Sequence, residues 1–337
     1  MKILTKSVLL LAALVFVVCG LYPLTLWAIG QAAFPFQANG SMIDGPDGKP
    51  VGSRLIAQPF TKDEYFWPRP SAASYDASAS ASSAYAASNY QLRDRVARAL
   101  GPIVTYRQGE HARKPVAPDV EAWFQLDKFQ GQPHLVAQWA DAHNGLAQAW
   151  VKTDALHKSF VENWAKTHAD AIAKFGAANP LPPKPAPEDL AVPFFESFSA
   201  EHPGMFPVVA THPGANGATE SVIEPANSGA DIQSDFFDMW RQDHADAELQ
   251  NVPADLVTAS ASGLDPHITL ANAEFQLDRV AGKWAADLKR EPGAVRAEIE
   301  KLLHDNVSAP WYGLAGEKIV NVLEINLALR QRYGAPQ

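Results

Sequence analysis

The sequence predicts an α+β protein with a single N-terminal transmembrane helix, followed by an extracytoplasmic α+β body interrupted by a mainly helical middle segment. Three observations carry this expectation. Residues 7–30 read "SVLLLAALVFVVCGLYPLTLWAIG", without one charge. Short apolar pieces set among Gly, Pro and Asp turn signals come next, and amphipathic stretches at three- and four-residue spacing follow them. Last, the middle of the chain differs in character from both flanks, with eight of the 10 histidines between residues 101 and 250.

The anchor comes first. At ~1.5 Å per residue, the uncharged run crosses a hydrocarbon core of ~30 Å with some to spare. Lys2 and Lys6 precede it, and the next charge is Asp44. The positive-inside bias therefore places the N-terminus in the cytoplasm and the bulk outside, single-pass in the plasma (inner) membrane. A cleaved signal is the rival reading, with Ala28-Ile29-Gly30 as its small-x-small end, but its apolar core would be only ~7–15 residues long. A lipoprotein signal at Cys19 meets bulky Val17 and Val18 where small residues are needed. Pro23 lacks an N–H and predicts a kink.

Beyond the anchor, Asn39-Gly40 and the Gly45–Pro50 cluster mark turns, with strands expected around Met42–Ile43 and Ser53–Ile56. The Ala/Ser tract Ser71–Ser88 reads as an extended surface loop. Leu92, Val96 and Leu100 predict a helix, with Ser88 or Asn89 as its cap. Leu135, Trp139, Leu146, Trp150, His157, Val161, Trp164, His168 and Phe175 line one helical face, which Asn144-Gly145 would split into two antiparallel helices. Pro180–Phe194 reads as a polyproline-like connector, and the stretch to Ala230 as irregular. Ser234 is a candidate cap for a Phe236/Phe237/Trp240 face. Two further helices follow, one with Phe275, Val280 and Leu288 inward, the other opening at Pro292 with Val295, Ile299, Leu302 and Leu303 on one face. The closing "EKIVNVLEINLAL" is either a buried strand turning into a helix or a helix throughout.

"GLYPLTLWAIGQAAFPFQANGSMI", "GSRLIAQPFT…YFWPRPSA", "VPADLVTASASGLDPHIT" and "VNVLEINLAL" resemble, in order, the KdpC family, the C chain (accessory subunit) of the Kdp potassium-transporting P-type ATPase. The resemblance covers roughly residues 7–100 and 251–330. It divides the chain into a transmembrane helix at 7–30, a first part of the family's extracytoplasmic domain at 31–101, a long central insertion at 102–250, and a second part at 251–331. The family's glycine-serine-asparagine run survives only as Ser88-Asn89. What the resemblance implies is an accessory, non-catalytic subunit of an ATP-driven potassium importer. Its partners would be a potassium-binding pore subunit and a subunit that hydrolyses ATP through a phosphoaspartate. The family is described as a catalytic chaperone that raises the nucleotide affinity of the hydrolysing subunit. ATP is therefore implied as a cofactor, yet ATP is cytoplasmic and the positive-inside bias puts this body outside. The matched stretches carry Tyr22, Pro23, Gln37, Asn39 and Gly40 near the membrane as partner or fold positions. Arg69, Pro70, Ser71, Asp265, Asn321 and Asn326 are the corresponding positions in the body. Gln37 and Asn39 are expected against the pore subunit, with Asn39-Gly40 also supplying a turn; Arg69 is expected to orient a loop or partner, or to be solvated.

The stretch Leu256–Thr269, "LVTASASGLDPHIT", has the ingredients of a serine hydrolase, but a nucleophile elbow needs Gly-x-Ser-x-Gly and the first glycine is missing. The preferred reading is a shaped loop in which Ser260 and Ser262 bond local backbone, Gly263 supplies a positive φ, and Asp265-Pro266 begins a turn into the next helix. No Walker-type run or Asp-Lys-Thr-Gly phosphorylation motif occurs. Were a nucleotide bound, Gln58, Ser260, Ser262, Gly263 and Gln276 would be the candidates. No metal site is expected, because His143, His157 and His168 lack His-x-x-x-His spacing. The net charge of −9 argues against nucleic acid, and the single Cys excludes an internal disulfide. An anchored serine hydrolase using Ser260 or Ser262 with His267, or a divergent sensor or assembly module, stand as alternative functions.

Overall fold

The structure is a computed structural model that describes residues 2–45, 48–83, 85–127, 134–178, 185–213, 219–314 and 316–336. It is α+β, with helices and short antiparallel sheets. Two compact units emerge, one formed by residues 1–84 with 253–337 and the other by residues 85–252.

The chain begins with a long apolar helix, α1 (Lys2–Val15), a π-helical turn at Phe16–Leu21, and α2 (Tyr22–Ala33). Ile3–Ala33 has a peak mean hydropathy of 2.5 and none of it is buried by the rest of the chain. Such a surface is stable in lipid and costly in water. The helix thus runs three residues past the expected end at Gly30. The expected irregularity at Pro23 is taken up just upstream, where Tyr22 N–H bonds the Val17 carbonyl five residues back. A widened turn before a proline absorbs its missing donor.

After the short α3 (Pro35–Ala38), Gly40 and Ser41 take φ of 83° and 51° to turn the chain into the hairpin β1 (Met42–Asp44) and β2 (Pro50–Ser53). The second strand ends where Ser53–Ile56 was expected to begin one. Ser53 Oγ accepts from Leu55 N, and Ile56 N bonds the Ser53 carbonyl, closing a turn instead.

The second unit opens with α4 (Tyr90–Leu100), capped by Asn89, whose Oδ1 accepts from Gln91 N at 2.8 Å. It continues with α5 (Ala117–Leu126), α6 (Leu135–Ala142), α7 (Asn144–Lys152), α8 (Ala155–Thr167) and α9 (Ala169–Ala178). The periodic stretch from Leu135 to Phe175 is therefore four described helices where two were expected. His143 and His168 leave the helical region at φ −121°, ψ 47° and φ −120°, ψ 50°. Between them, Asp154 starts α8 afresh by accepting from His157 N at 2.9 Å.

Three further expectations fail in this unit. The polyproline-like connector lies outside the described residues at 180–184, and beyond them becomes a 3₁₀ turn (Pro187–Leu190) and α10 (Ala191–Glu201). Pro193 sits in the first helical turn, where an absent N–H costs no bond, and Phe194, Phe195 and Phe198 are buried. The supposedly irregular stretch holds a hairpin, β3 (Phe206–Pro213) and β4 (Thr219–Ala226), in register from Phe206↔Ala226 to Pro213↔Thr219. Its prolines masked it, since a two-stranded ribbon consists of edge strands, which tolerate them. Ser234 lies inside α11 (Ala230–Asp235) and is no cap; α12 (Phe237–Asp243) follows after Phe236, whose N–H bonds the Ile232 carbonyl. The core of this unit centres on Trp139, edge-on to Phe195 at 5.2 Å and Phe206 at 5.3 Å.

The first unit resumes with α13 (Ala254–Val257), β5 (His267–Thr269), α14 (Leu270–Leu288), α15 (Pro292–Asp305), β6 (Val307–Ser308), β7 (Ile319–Asn321) and α16 (Val322–Tyr333). The strands form an antiparallel sheet in the order β5-β7-β6. Asp265-Pro266 thus leads first into a strand and only then into α14. The closing segment is the strand-then-helix alternative. On α14 the buried face is Leu277, Val280, Ala281 and Trp284, with Phe275 and Leu288 only half-buried. Together with Phe66, Ile268, Val295, Ile299, Leu303, Val320 and Ile325, that face makes the core of this unit.

Candidate functional site

The residues singled out in the body gather around one feature of the first unit, the chain from Gln58 to Ala81 laid against the loop 258–266. Two side-chain amides hold it. Asn326 Oδ1 accepts from Phe66 N and its Nδ2 donates to the Phe66 carbonyl, both at 2.9 Å. Gln276 does the same for the next residue, accepting from Trp67 N at 2.7 Å and donating to its carbonyl at 3.1 Å. Each amide stands in for a neighbouring strand, satisfying both backbone groups of a residue that no sheet reaches. Gln276 also bonds Asn272, and Arg279 donates to its Oε1 at 2.6 Å.

Arg279 on α14 also holds this stretch, a role the sequence does not reveal. Its guanidinium lies 3.6 Å from the centre of the Trp67 ring and donates to the Asp63 and Tyr65 carbonyls. Burial lowers its pKa to about 10, against the opposing pull of Asp63. A lone arginine on a helix face gives no signal of such a role in sequence.

The serine-rich loop is held by the same chain. Arg69 donates to the Ala259 carbonyl at 3.2 Å and lies 3.9 Å from Asp265, so it orients a loop. The Pro70 carbonyl accepts from Ser260 N. Ser71 Oγ donates to the Gly263 carbonyl at 2.5 Å and accepts from Ala73 N and Tyr75 N. The Ser262 carbonyl accepts from Ser80 Oγ and Ala81 N, so the Ala/Ser tract is fastened here by backbone as well as side chain. Gly263 has φ 71°, and a Cβ there would lie 2.8 Å from the Ala81 carbonyl and 3.0 Å from Ala73.

Within the loop, Ser262 Oγ accepts from Leu264 N and Asp265 Oδ1 accepts from His267 N and meets His267 Nδ1. These bonds hold the Asp265 carboxyl below its ordinary range. Ser260 is 3% exposed. Gln58 donates to the Val51 carbonyl at 2.8 Å. Each of the five nucleotide candidates is therefore engaged with its own chain or, for Ser260, buried in it. Asn321 caps α16 by accepting from Leu323 N and Glu324 N, and donates to the Arg54 carbonyl. Just beyond the apolar helix, Asn39 bonds the Pro35 carbonyl at 2.7 Å and Gln31 at 3.3 Å, while Gly40 N bonds the Gln37 carbonyl. Tyr22 is exposed on the apolar helix beside Pro23. The site's chemistry is that of a fastened loop.

Four of the eight histidines of the second unit follow a pattern that spacing reveals in retrospect. Trp139/His143, Trp164/His168, Phe198/His202 and Trp240/His244 are aromatic-x-x-x-His pairs, and in each the His ends a helix by bonding its N–H or ring to the last turn. His168 and His244 stack on the preceding Trp and direct Nδ1 at its carbonyl at 2.9 Å. That bond raises the pKa of His168, with Glu201 adding to it and desolvation opposing. His157 stacks on Trp150 at 4.1 Å.

Comparison with known proteins bears on all of this. The family model KdpC, described as "K+-transporting ATPase, c chain", matches residues 4–121 and 209–331. The potassium-transporting ATPase KdpC subunit of Caulobacter vibrioides (strain NA1000 / CB15N) is 28% identical over 314 residues, covering 93% of this chain and 84% of the relative. That of Parvibaculum lavamentivorans is 24% identical over 323 residues, covering 96% and 93%. That of Pseudomonas aeruginosa is 52% identical over 77 residues, covering 23% and 42%. The first two alignments run through the middle of the chain, whereas the family model leaves residues 122–208 unmatched.

Proposed function

The chain belongs to the KdpC family, the c chain of K+-transporting ATPases, and from that premise we propose that it is an accessory, non-catalytic subunit of an ATP-driven potassium uptake complex. It is held in the inner membrane by α1 and α2, with Lys2 and Lys6 inside and the body outside. Its partners are the potassium-binding pore subunit and the ATP-hydrolysing subunit. The observation that carries the reading is the state of the candidate side chains: Asn326, Gln276, Arg69 and Ser71 are spent on holding their own chain. Residues so engaged rigidify the surface they form. The sequence has neither a phosphorylation nor a Walker motif, and energy conversion falls to another chain.

An effect on ATP affinity is proposed as indirect, transmitted through the complex, because cytoplasmic ATP and an external body do not meet. The segment 102–250 is proposed as an elaboration of the family's body between its first helix and its serine-rich loop.

The test is a mild-detergent pull-down of the tagged chain from potassium-starved cells, with partners identified by mass spectrometry. Recovery of a multi-span pore subunit with a phosphoaspartate ATPase is expected. Recovery of the chain alone would overturn the reading. Photoactivatable ATP applied to the purified complex is expected to label the ATPase and leave this chain unlabelled.

A further inference from the structure

The anchor helix contains a backbone acceptor that its own ladder does not fill. Across Phe16–Leu21 the bonds are in π register, and Tyr22 N–H goes to the Val17 carbonyl. The α-register donor to the Val18 carbonyl would be that same Tyr22 N–H. The π-register donor would be residue 23, a proline without an N–H. Thr25 Oγ donates to the Leu21 carbonyl at 2.8 Å, so that hydroxyl is spent one turn away. No backbone donor of the described helix remains for Val18.

Depth makes this consequential. Val18 is the central residue of the apolar helix Ile3–Ala33, about 22 Å of helix from either end. Water and headgroups lie roughly 15 Å away on each side of a bilayer midplane. Lipid tails carry no donor, and chains that free a carbonyl within a membrane refill it from neighbouring helices, side chains or ordered water. Gly20, in the same turn, brings no side chain to obstruct an approach; a Cβ there would meet only the Phe16 ring, at 3.8 Å or more. Within Phe16–Leu21 the sole side-chain hydrogen available for bonding is the Cys19 thiol, a weak donor. A parallel second copy of this chain therefore brings no strong donor from Phe16–Leu21, and its nearest one is the Tyr22 hydroxyl of the following turn.

We propose that the Val18 carbonyl accepts a hydrogen bond from a polar side chain, of the amide or hydroxyl class, on a membrane helix of a partner subunit. The wide turn and Pro23 together form the notch that admits that donor. The inference rests on the reading of this chain as one subunit of a membrane complex, and it specifies what the anchor recognises there.

The experiment uses the full chain carrying a ¹³C=¹⁸O label at the Val18 carbonyl, followed by infrared spectroscopy in the lipid-embedded complex and in vesicles holding the chain alone. The labelled band is expected at lower wavenumber in the complex. Pro23→Ala restores the missing N–H, so it is expected to lower the band in the chain alone and to weaken retention in the complex about tenfold. Co-purification with partners but an unmoved band would overturn this proposal and leave the subunit reading intact. A band that falls with rising chain density in vesicles lacking any partner would also overturn it, in favour of self-association. If no membrane partner co-purifies, the subunit reading fails and this proposal with it.

Discussion

At the scale of single residues, stability concentrates where one side chain completes two backbone bonds. Asn326 serves both the N–H and the carbonyl of buried Phe66, so Asn326→Ala leaves two buried groups unpaired. The expected loss is about 2–5 kcal/mol, measured by denaturant unfolding of the full chain in detergent; a loss under about 1 kcal/mol would mean that water replaces the amide. A matched pair of glycines provides a sharper contrast. Gly263→Ala forces a Cβ against the Ala81 carbonyl at positive φ and is expected to destabilise by about 1–3 kcal/mol. Gly282, exposed inside α14, has nothing within 4 Å of an added Cβ, and Gly282→Ala is expected to stabilise by about 0.5–1 kcal/mol. Equal effects at the two sites would contradict the latch geometry. None of these roles is visible in the residue names, because Asn326 and Phe66 are joined only by the fold.

Among elements, α4 meets α11 through a buried carboxyl. Arg98 Nε lies 2.6 Å from Asp235, itself nearly inaccessible. Burial pushes the Asp235 pKa up to about 7, with Arg98 offsetting only part of that and Asp231 adding to it. A carboxyl whose folded pKa lies above its unfolded value holds its proton more tightly in the fold. Its contribution is fully present below about pH 4 and is lost as pH rises through about 7. The second unit is therefore expected to lose stability between pH 4 and 7, and Asp235→Asn to flatten that slope; an unchanged slope in thermal melts across this range would refute the assignment. Helix starts were largely legible, since Asn89 and Pro292 sit where caps and first turns demand. Helix ends were less so. The breaks at His143 and His168 depend on an aromatic one turn earlier receiving the His ring or amide, a pairing without a simple propensity signature.

For the molecule as a whole, each unit has its own core, one around Trp139 and the other around Phe66 and Trp284. Residues 85–252 return the chain to the unit they interrupt, and closure entropy grows only slowly with the length of such an excursion. Replacing 85–252 by a short Gly/Ser linker is expected to leave the Phe66 core folded and to support potassium-limited growth in a strain lacking the native chain. Failure to grow despite normal levels of the shortened chain would assign the middle unit an essential part in transport. The amino-acid sequence determined the long apolar helix at Ile3–Ala33, because an uncharged run of that length is stable in lipid and needs no partner from the rest of the chain to declare it. It determined α15, whose apolar spacing is local, and the family, whose motifs stand in order along the chain, but left the closing segment between a strand turning into a helix and a helix throughout, a choice the structure made. Tertiary structure alone decided the β3–β4 hairpin, hidden under prolines that only edge strands admit. It also decided the clasp of Phe66 and Trp67 by Asn326 and Gln276, across separations of 260 and 209 residues. Periodicity and capping are written in neighbouring residues, whereas a buried backbone group is satisfied by whichever side chain the packing brings to it.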